Sequence, residues 1–202
     1  MSARPSQWYE TPDLIGDQVI LTQLRPRHAP GVLAAADDPS AFTWMKFFAP
    51  TNLDEASAVI QRYLDAQAQD VGVPWAQIDV ASGEVAGVTT YYDVDPQNRS
   101  LAIGHTWLGK RFQRTAINTE AKLLLLTRAF ETLEAARVVW HTDAENSQSR
   151  EAIARLGATE EGILRNHRVR REGTRSDTAQ FSMTDGDWPA VRERLRNRLN
   201  QS

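Results

Sequence analysis

The chain has no cysteine in its 202 residues. That absence excludes a disulfide framework, a thiolate zinc site, an iron–sulfur cluster and a cysteine nucleophile. Any sulfur chemistry must therefore run on the sulfur of a ligand. Purely apolar runs are short, as in residues 123–126, far below the roughly 20 residues of a membrane span. Residues 1–12 carry no apolar stretch of the secretory type, so the expected location is cytoplasmic, with no membrane partner. Lysine is scarce, 3 against 20 arginines, which reads as a compositional bias and not as function. The net charge of -3 and pI near 5.8 argue against bulk nucleic-acid binding. Repeats, low-complexity linkers and composition shifts are missing too. A single domain over residues 1–202 is expected, with residues 1–12 an N-terminal extension and 187–199 a C-terminal helix.

What is present is a regular alternation of elements. Residues 18–24 alternate as a strand. Residues 29–36 form a helix stopped by Pro39, and Asp54 caps a second helix to about residue 69. Residues 75–80 and 84–92 pair as a hairpin around Ser82-Gly83, and residues 100–108 follow as a strand. The helix predicted over 119–133 is apolar on too many sides for a surface helix, so it is central. A strand over 137–142 precedes a helix capped by Asn146 or Ser147 and ended by Gly157. Strands over 159–169 and 177–183 meet across Glu172-Gly173. Asp187 caps a final helix with Trp188, Val191, Leu195 and Leu199 in one stripe. The order βααβββαβαββ(α) predicts a mixed α/β fold: a mostly antiparallel sheet with one parallel pair at its centre, flanked by helices.

Two junctions carry chemistry. The first is Lys110-Arg111-Phe112-Gln113-Arg114-Thr115-Ala116-Ile117-Asn118-Thr119-Glu120. There a strand end and a basic loop lead into a helix N-terminus, an arrangement suited to an anion. The spacing is not that of a Walker loop. A capped helix with solvated basic residues is the plainer alternative. The second junction is Asn146-Ser147-Gln148-Ser149. Ser149, Ala152, Ile153 and Leu156 share the inward face of a helix, so Ser149 either bonds back to the cap or aims its hydroxyl into the cleft between the parallel strands.

With Leu14 to Leu21, Ile103-Gly104-His105-Thr106-Trp107-Leu108, Asn118-Thr119-Glu120-Ala121 and Leu156-Gly157-Ala158, these segments resemble the GNAT N-acetyltransferase superfamily. The likeness extends to its branch of ribosomal-protein N-terminal acetyltransferases (RimJ/RimL-like). It covers roughly residues 11–188 and implies the acyl-CoA N-acyltransferase fold, with an acetyl-CoA cleft where the parallel strands splay. It also implies that backbone around Gln113, Arg114, Thr115, Ala116, Ile117, Asn118 and Thr119 holds the pyrophosphate. The backbone of Trp107 and Leu108 would pair with the pantetheine arm, which Asn146 orients. Ser149 would protonate the leaving thiolate. Trp44 and Phe48 would wall the acceptor pocket, although ordinary core is the alternative for that aromatic segment. The implied partners are acetyl-CoA and a primary amine, such as a protein N-terminus, an amino acid or a small amine. No metal and no nucleic acid are implied; a homodimer is the default assembly.

The chain departs from the pattern. Ala102 stands where many relatives carry a glutamate base. That leaves His105, Asp143, Glu145, His141 or bound water to take the amine's proton, His105 being favoured by position and by an ordinary pKa near 6.5. Ala116 stands where the loop usually has glycine, a cost of about 1 kcal/mol if φ is positive there. These departures motivate the competing expectation of a catalytically weakened module that binds CoA or a partner without efficient turnover. The basic stretches at 165–171 and 192–198 read as solvated surface.

Overall fold

The computed structural model describes residues 5–201. Its elements in chain order are β1 (Leu14–Ile15), β2 (Val19–Gln23), α1 (Ala29–Ala35), α2 (Leu53–Ala68), β3 (Gly72–Asp79), β4 (Val85–Asp95) and β5 (Ser100–Leu108). There follow α3 (Ala116–Thr127), β6 (Arg137–Asp143), α4 (Ser147–Leu156), β7 (Thr159–Val169), β8 (Arg175–Thr184) and α5 (Trp188–Leu199). The eight strands form one sheet in the order β1-β2-β3-β4-β5-β6-β8-β7. Every pairing is antiparallel except β5 with β6. The expected mixed fold, with its one parallel pair, is what the chain adopts.

The sheet has a core on each side. Leu101, Ile103, Leu108, Val138 and Trp140 pack with Ile117, Ala121, Leu125 and Leu126 of α3 and with Trp188, Val191 and Leu195 of α5. On the other side, Ala76, Val88 and Trp107 pack with Val32, Val59, Ile60 and Tyr63 of α1 and α2. α3 is thus the central helix that its all-round apolarity requires. It ends in a π-helical turn, Arg128–Thr132.

Three local expectations are corrected, and one short element is added. α2 is capped by Asn52, not Asp54: the Asn52 carboxamide accepts from the Glu55 N–H at 2.9 Å. Asp187 does not cap α5 through its side chain. Its carboxylate instead accepts from the Thr184 N–H and hydroxyl at 2.9 and 2.7 Å. α3 begins at Ala116 rather than 119, because the Thr115 hydroxyl accepts from the Ile117 N–H and opens the helix three residues earlier. The two-residue β1 is too short for periodicity to register.

Two buried ionic groups of α3 tie it to the sheet. The Glu120 carboxylate accepts from the N–H groups of Asp17, Gln18 and Val19 at 3.0, 2.6 and 2.8 Å, holding the β1–β2 turn. Lys122 is buried and donates to the hydroxyls of Thr106 at 2.9 Å and Thr89 at 3.3 Å. No carboxylate pairs with it among the described residues. Loss of water around the ammonium lowers its pKa from 10.5 to about 7.

Replacing Glu120 by Ala leaves three backbone donors without an acceptor, and a loss of about 2–4 kcal/mol in urea-derived stability is expected. For Lys122 the sign follows from proton uptake. Between pH 7 and 10.5 the unfolded chain binds more protons than the folded one, so this side chain makes stability rise with pH through that window and fall as pH drops through it. Lys122→Met removes that slope, on the order of 1 kcal/mol per pH unit. Its stability relative to the parent chain is expected to be greatest below pH 7 and to shrink by pH 10.

Candidate active site

The site starts where β5 and β6 part. They pair only through Ser100–Arg137, Leu101–Val138 and Ala102–Val139. Three residues later His105 takes a left-handed backbone (φ 48), and the β4–β5 register shifts between Val88 and Thr90. This bulge swings β5 away from β6. From Ile103 onward β5 keeps its partner β4, through Thr90–Gly104, Val88–Trp107 and Gly87–Leu108, but has none on the β6 side. A free strand edge facing a cleft suits an extended amide-containing arm. The bulge is pinned by the Tyr63 hydroxyl of α2, which donates to the His105 carbonyl at 3.1 Å.

At the far end of the cleft lies the loop before α3. A cavity of about 400 Å³ there is lined by Gln18, Arg114, Thr115, Ala116, Thr119, Arg198 and Leu199. It lies against the first turn of α3, where backbone N–H groups and the helix dipole favour an anion. Of the three basic residues expected to serve it, two are engaged elsewhere. Lys110 pairs with Asp38 at 3.1 Å and Arg111 with Glu84 at 3.0 Å. Arg114 lines the cavity, and so does Arg198 of α5, which sequence reading placed on solvated surface. Helical periodicity spreads the arginines of α5 around its axis and does not say which one the fold turns toward α3.

The remaining loop residues divide by role. The Gln113 amide donates to the Leu108 carbonyl at 3.0 Å, bracing the strand end, and the Thr115 hydroxyl donates to the Phe112 carbonyl at 2.8 Å. Ile117 is buried in the core; Asn118 is half-buried in the first turn of α3. Ala116 is the first residue of α3 and has no positive φ. The left-handed residue is Arg114 (φ 61). The methyl of Ala116 is therefore not strained, which removes one of the two reasons for expecting a weakened site.

α4 lies beyond the end of β6. The Asn146 carboxamide accepts from the Ser149 N–H at 3.0 Å, so Asn146 is the cap. Gly157 closes the helix at φ 98. Ser149 is half-buried, and its hydroxyl makes no hydrogen bond to a described residue. Two of the proposed bases are already committed. Asp143 and Glu145 both pair with Arg170, at 2.8 and 2.9 Å. Burial alone would raise the Asp143 carboxyl, but Arg170 and the Glu145 N–H hold it below its ordinary value.

Trp44 and Phe48 are exposed, at 42% and 72%, so they are not core; Phe42 and Phe47 fill that part. Arg170 lies over the Trp44 ring and Arg171 over Phe48. Arg171 also donates to the carbonyls of Phe42 and Phe47, and Lys46 donates to that of Val169. The basic residues just after β7, with the Val169 carbonyl at its end, thus bind the 42–48 segment.

His105 lies on the sheet face opposite α3, and its ring is 4.8 Å from that of Tyr92. His105 is exposed, yet desolvation first, then nearby Arg168, lowers its pKa below 6.5. His141 is beside the same tyrosine, its Nδ1 3.0 Å from the Tyr92 hydroxyl. The fold therefore gathers two of the candidate bases around Tyr92, which sequence reading missed. Tyr92 pairs across strands with Ala102, the residue standing where a glutamate was expected.

The acetyltransferase (GNAT) domain family matches residues 18–159. A GCN5-related N-acetyltransferase from Brucella melitensis is 33% identical, with 94% of this chain and 86% of that one covered and a TM-score of 0.88. The Bacillus subtilis (strain 168) protein named "Putative ribosomal N-acetyltransferase YdaF" is 27% identical over 86% of this chain and 95% of its own. The microcin C7 self-immunity acetyltransferase MccE, solved with acetyl-CoA and AMP, shares the fold at 21% identity, covering 84% and 93% of the two chains with a TM-score of 0.73.

The loop geometry makes a paired prediction for isothermal titration with acetyl-CoA. Ala116→Gly is expected to bring no gain in affinity, since it loosens an already unstrained helix start. Arg114→Gly relieves the left-handed backbone but removes a guanidinium from the cavity, and is expected to weaken binding with a reduced dependence on salt.

Proposed function

Because this chain belongs to the GNAT acetyltransferase family, whose members use acetyl-CoA, we propose that it transfers the acetyl group to a primary amine by direct attack in a ternary complex. The observation that carries this reading is the splayed, bulged β5–β6 junction, with an anion cavity at the start of α3 after β5 and Ser149 in the first turn of α4 after β6. The residues present fit acetyl-CoA. Arg114, Arg198 and the N-terminus of α3 suit the phosphates, and the free edge of β5 around Trp107 and Leu108 suits the pantetheine amides. Asn146 orients the first turn of α4, and through it Ser149.

The chemistry follows from these positions. The amine attacks only when neutral, although such amines are mostly protonated at pH 7, so a proton acceptor is needed. With no cysteine in the chain, no enzyme thiol relays the acetyl group. The Ser149 hydroxyl is the proton donor for the departing thiolate. Strand N–H groups near Trp107 are the donors for the developing oxyanion. Trp44 and Phe48, held by Arg170 and Arg171, form the wall met by the acceptor, for which a protein N-terminus, an amino acid and a small amine all suit the chemistry.

The test combines binding with turnover. Calorimetry is expected to show acetyl-CoA binding in the micromolar range. Free-CoA release is expected with at least one amine of a panel comprising a free-N-terminus tetrapeptide, L-methionine and spermidine. Ser149→Ala is expected to lower kcat about tenfold to several hundredfold with unchanged affinity for acetyl-CoA. No binding at millimolar acetyl-CoA would overturn the reading.

A further inference from the structure

On the face opposite α3, a cavity of about 230 Å³ opens over β5, β6 and β8, lined among others by Asp93, Ala102, Val139, His141 and Gln180. A continuous chain of hydrogen bonds runs along it. We propose that Tyr92 and His141 form the proton relay that takes the amine's proton, with Gln180, Glu161 and Arg137 setting its direction. This rests on the acetyl-transfer reading above.

The direction follows from the far end inward. Arg137 pairs with both oxygens of Glu161, and Ser182 donates to Glu161 Oε1 at 2.9 Å. The Arg137 bonds lead the effects that hold the Glu161 carboxyl down to about 2, so it is ionised and only accepts. The Gln180 NH2 must therefore face Glu161, and it does, with Nε2 at 2.9 Å from Oε2. That turns the Gln180 carbonyl oxygen toward His141 Nε2 at 3.2 Å. An amide oxygen cannot donate, so His141 carries its proton on Nε2 and a lone pair on Nδ1. Nδ1 then accepts from the Tyr92 hydroxyl at 3.0 Å. The phenol oxygen also meets the His141 backbone N–H and keeps one lone pair for a further donor, which is what an incoming amine supplies.

The surroundings keep His141 able to accept. Burial is the main effect lowering its pKa. Arg168 and His167 of β7 lower it further, whereas Gln180 and Asp93 oppose them. The His105 ring of β5 also lies 4.8 Å from the Tyr92 ring, tilted by 43°. Gly104 leaves the room for this: a Cβ there would meet the Tyr92 ring at 2.7 Å. Ala102, paired with Tyr92, likewise brings no carboxylate to compete.

In the step, the amine nitrogen bonds to the acetyl carbon and the carbon–sulfur bond breaks. The amine's proton passes to the Tyr92 oxygen as the Tyr92 proton passes to His141 Nδ1, leaving imidazolium. Ser149 supplies the thiolate's proton. His141 then returns its proton to solvent and Ser149 regains one from it, so no net charge stays on the enzyme. The phenol never becomes a free phenolate, which burial would oppose: the Tyr92 pKa is raised well above 10.

Two readouts on the full-length chain test the relay. Nitrogen-15 NMR of the ligand-free protein is expected to show His141 as the Nε2–H tautomer. Its pKa should be below 6.5 and rise in Tyr92→Phe, because the phenol's donation to Nδ1 favours the neutral ring. With the fastest amine of the panel at pH 8, Tyr92→Phe and His141→Gln are each expected to lower kcat about 10²-fold while KM for acetyl-CoA is unchanged. The double variant should be little worse than either, since the two act as a unit. An Nδ1–H tautomer, an unmoved His141 pKa in Tyr92→Phe, or a Tyr92→Phe enzyme with parental kcat overturns the relay. Absence of acetyl-CoA binding overturns the transfer reading instead, and the tautomer still decides the hydrogen-bond chain.

Discussion

Only three residue pairs join β5 to β6, and the rest of the site depends on that short contact. A parallel pair inside a sheet is normally held along its length by evenly spaced hydrogen bonds. Here the bulge at His105 ends the pairing early, and the strand edges that would have satisfied each other are left for a ligand. The sheet tolerates the gap because each side has its own anchor. β5 stays zipped to β4, and β6 stays zipped to β8 over Arg137–Thr184 to Asp143–Thr178. α3 and α5 then bury the opposite face, so the opening costs cohesion locally without dividing the core.

Ionic groups are arranged around this opening in two different ways. At the start of α3, Arg114 and Arg198 border an open polar cavity, where charge is inexpensive. Inside, Glu120 and Lys122 are buried and are held by hydrogen bonds from backbone N–H groups and to hydroxyls, not by opposite charges. Lys122 bonds Thr106, the residue next to the bulge, and Tyr63 bonds the His105 carbonyl from the other face. The bulge is thus clamped from both sides of the sheet. That clamping lets a left-handed histidine persist at a place where a regular strand would close the cleft.

Much of the fold was legible because its signals are local. The strand over 100–108, the strand over 159–169, Asn146 as one of the two caps offered, and the stop at Gly157 all match the structure. Turn residues and apolar periodicity act within a few residues of themselves. Where a neighbour competed, the reading slipped: Asn52 outranked Asp54 as a cap, and Thr115 opened α3 ahead of the expected position. Among the candidate site residues, Ser149 and Arg114 were read from helical spacing and the basic loop, and Asn146 and His105 through the resemblance. Tyr92, Gln180 and Arg198 could not be named, because their partners lie 49, 39 and more residues away and no spacing rule links them.

The chain by itself determined the chemistry that was excluded and the order of its elements, since composition and periodicity are properties of the polymer. Without cysteine, the reacting sulfur must come from the ligand. Tertiary structure alone decided which charges serve the cleft. Lys110 and Arg111 are spent on Asp38 and Glu84, Asp143 and Glu145 on Arg170, while Tyr92 and His141 are brought together beneath the vacant position of Ala102. Pairing of side chains is settled by distance and desolvation, and both exist only once the strands have chosen their neighbours.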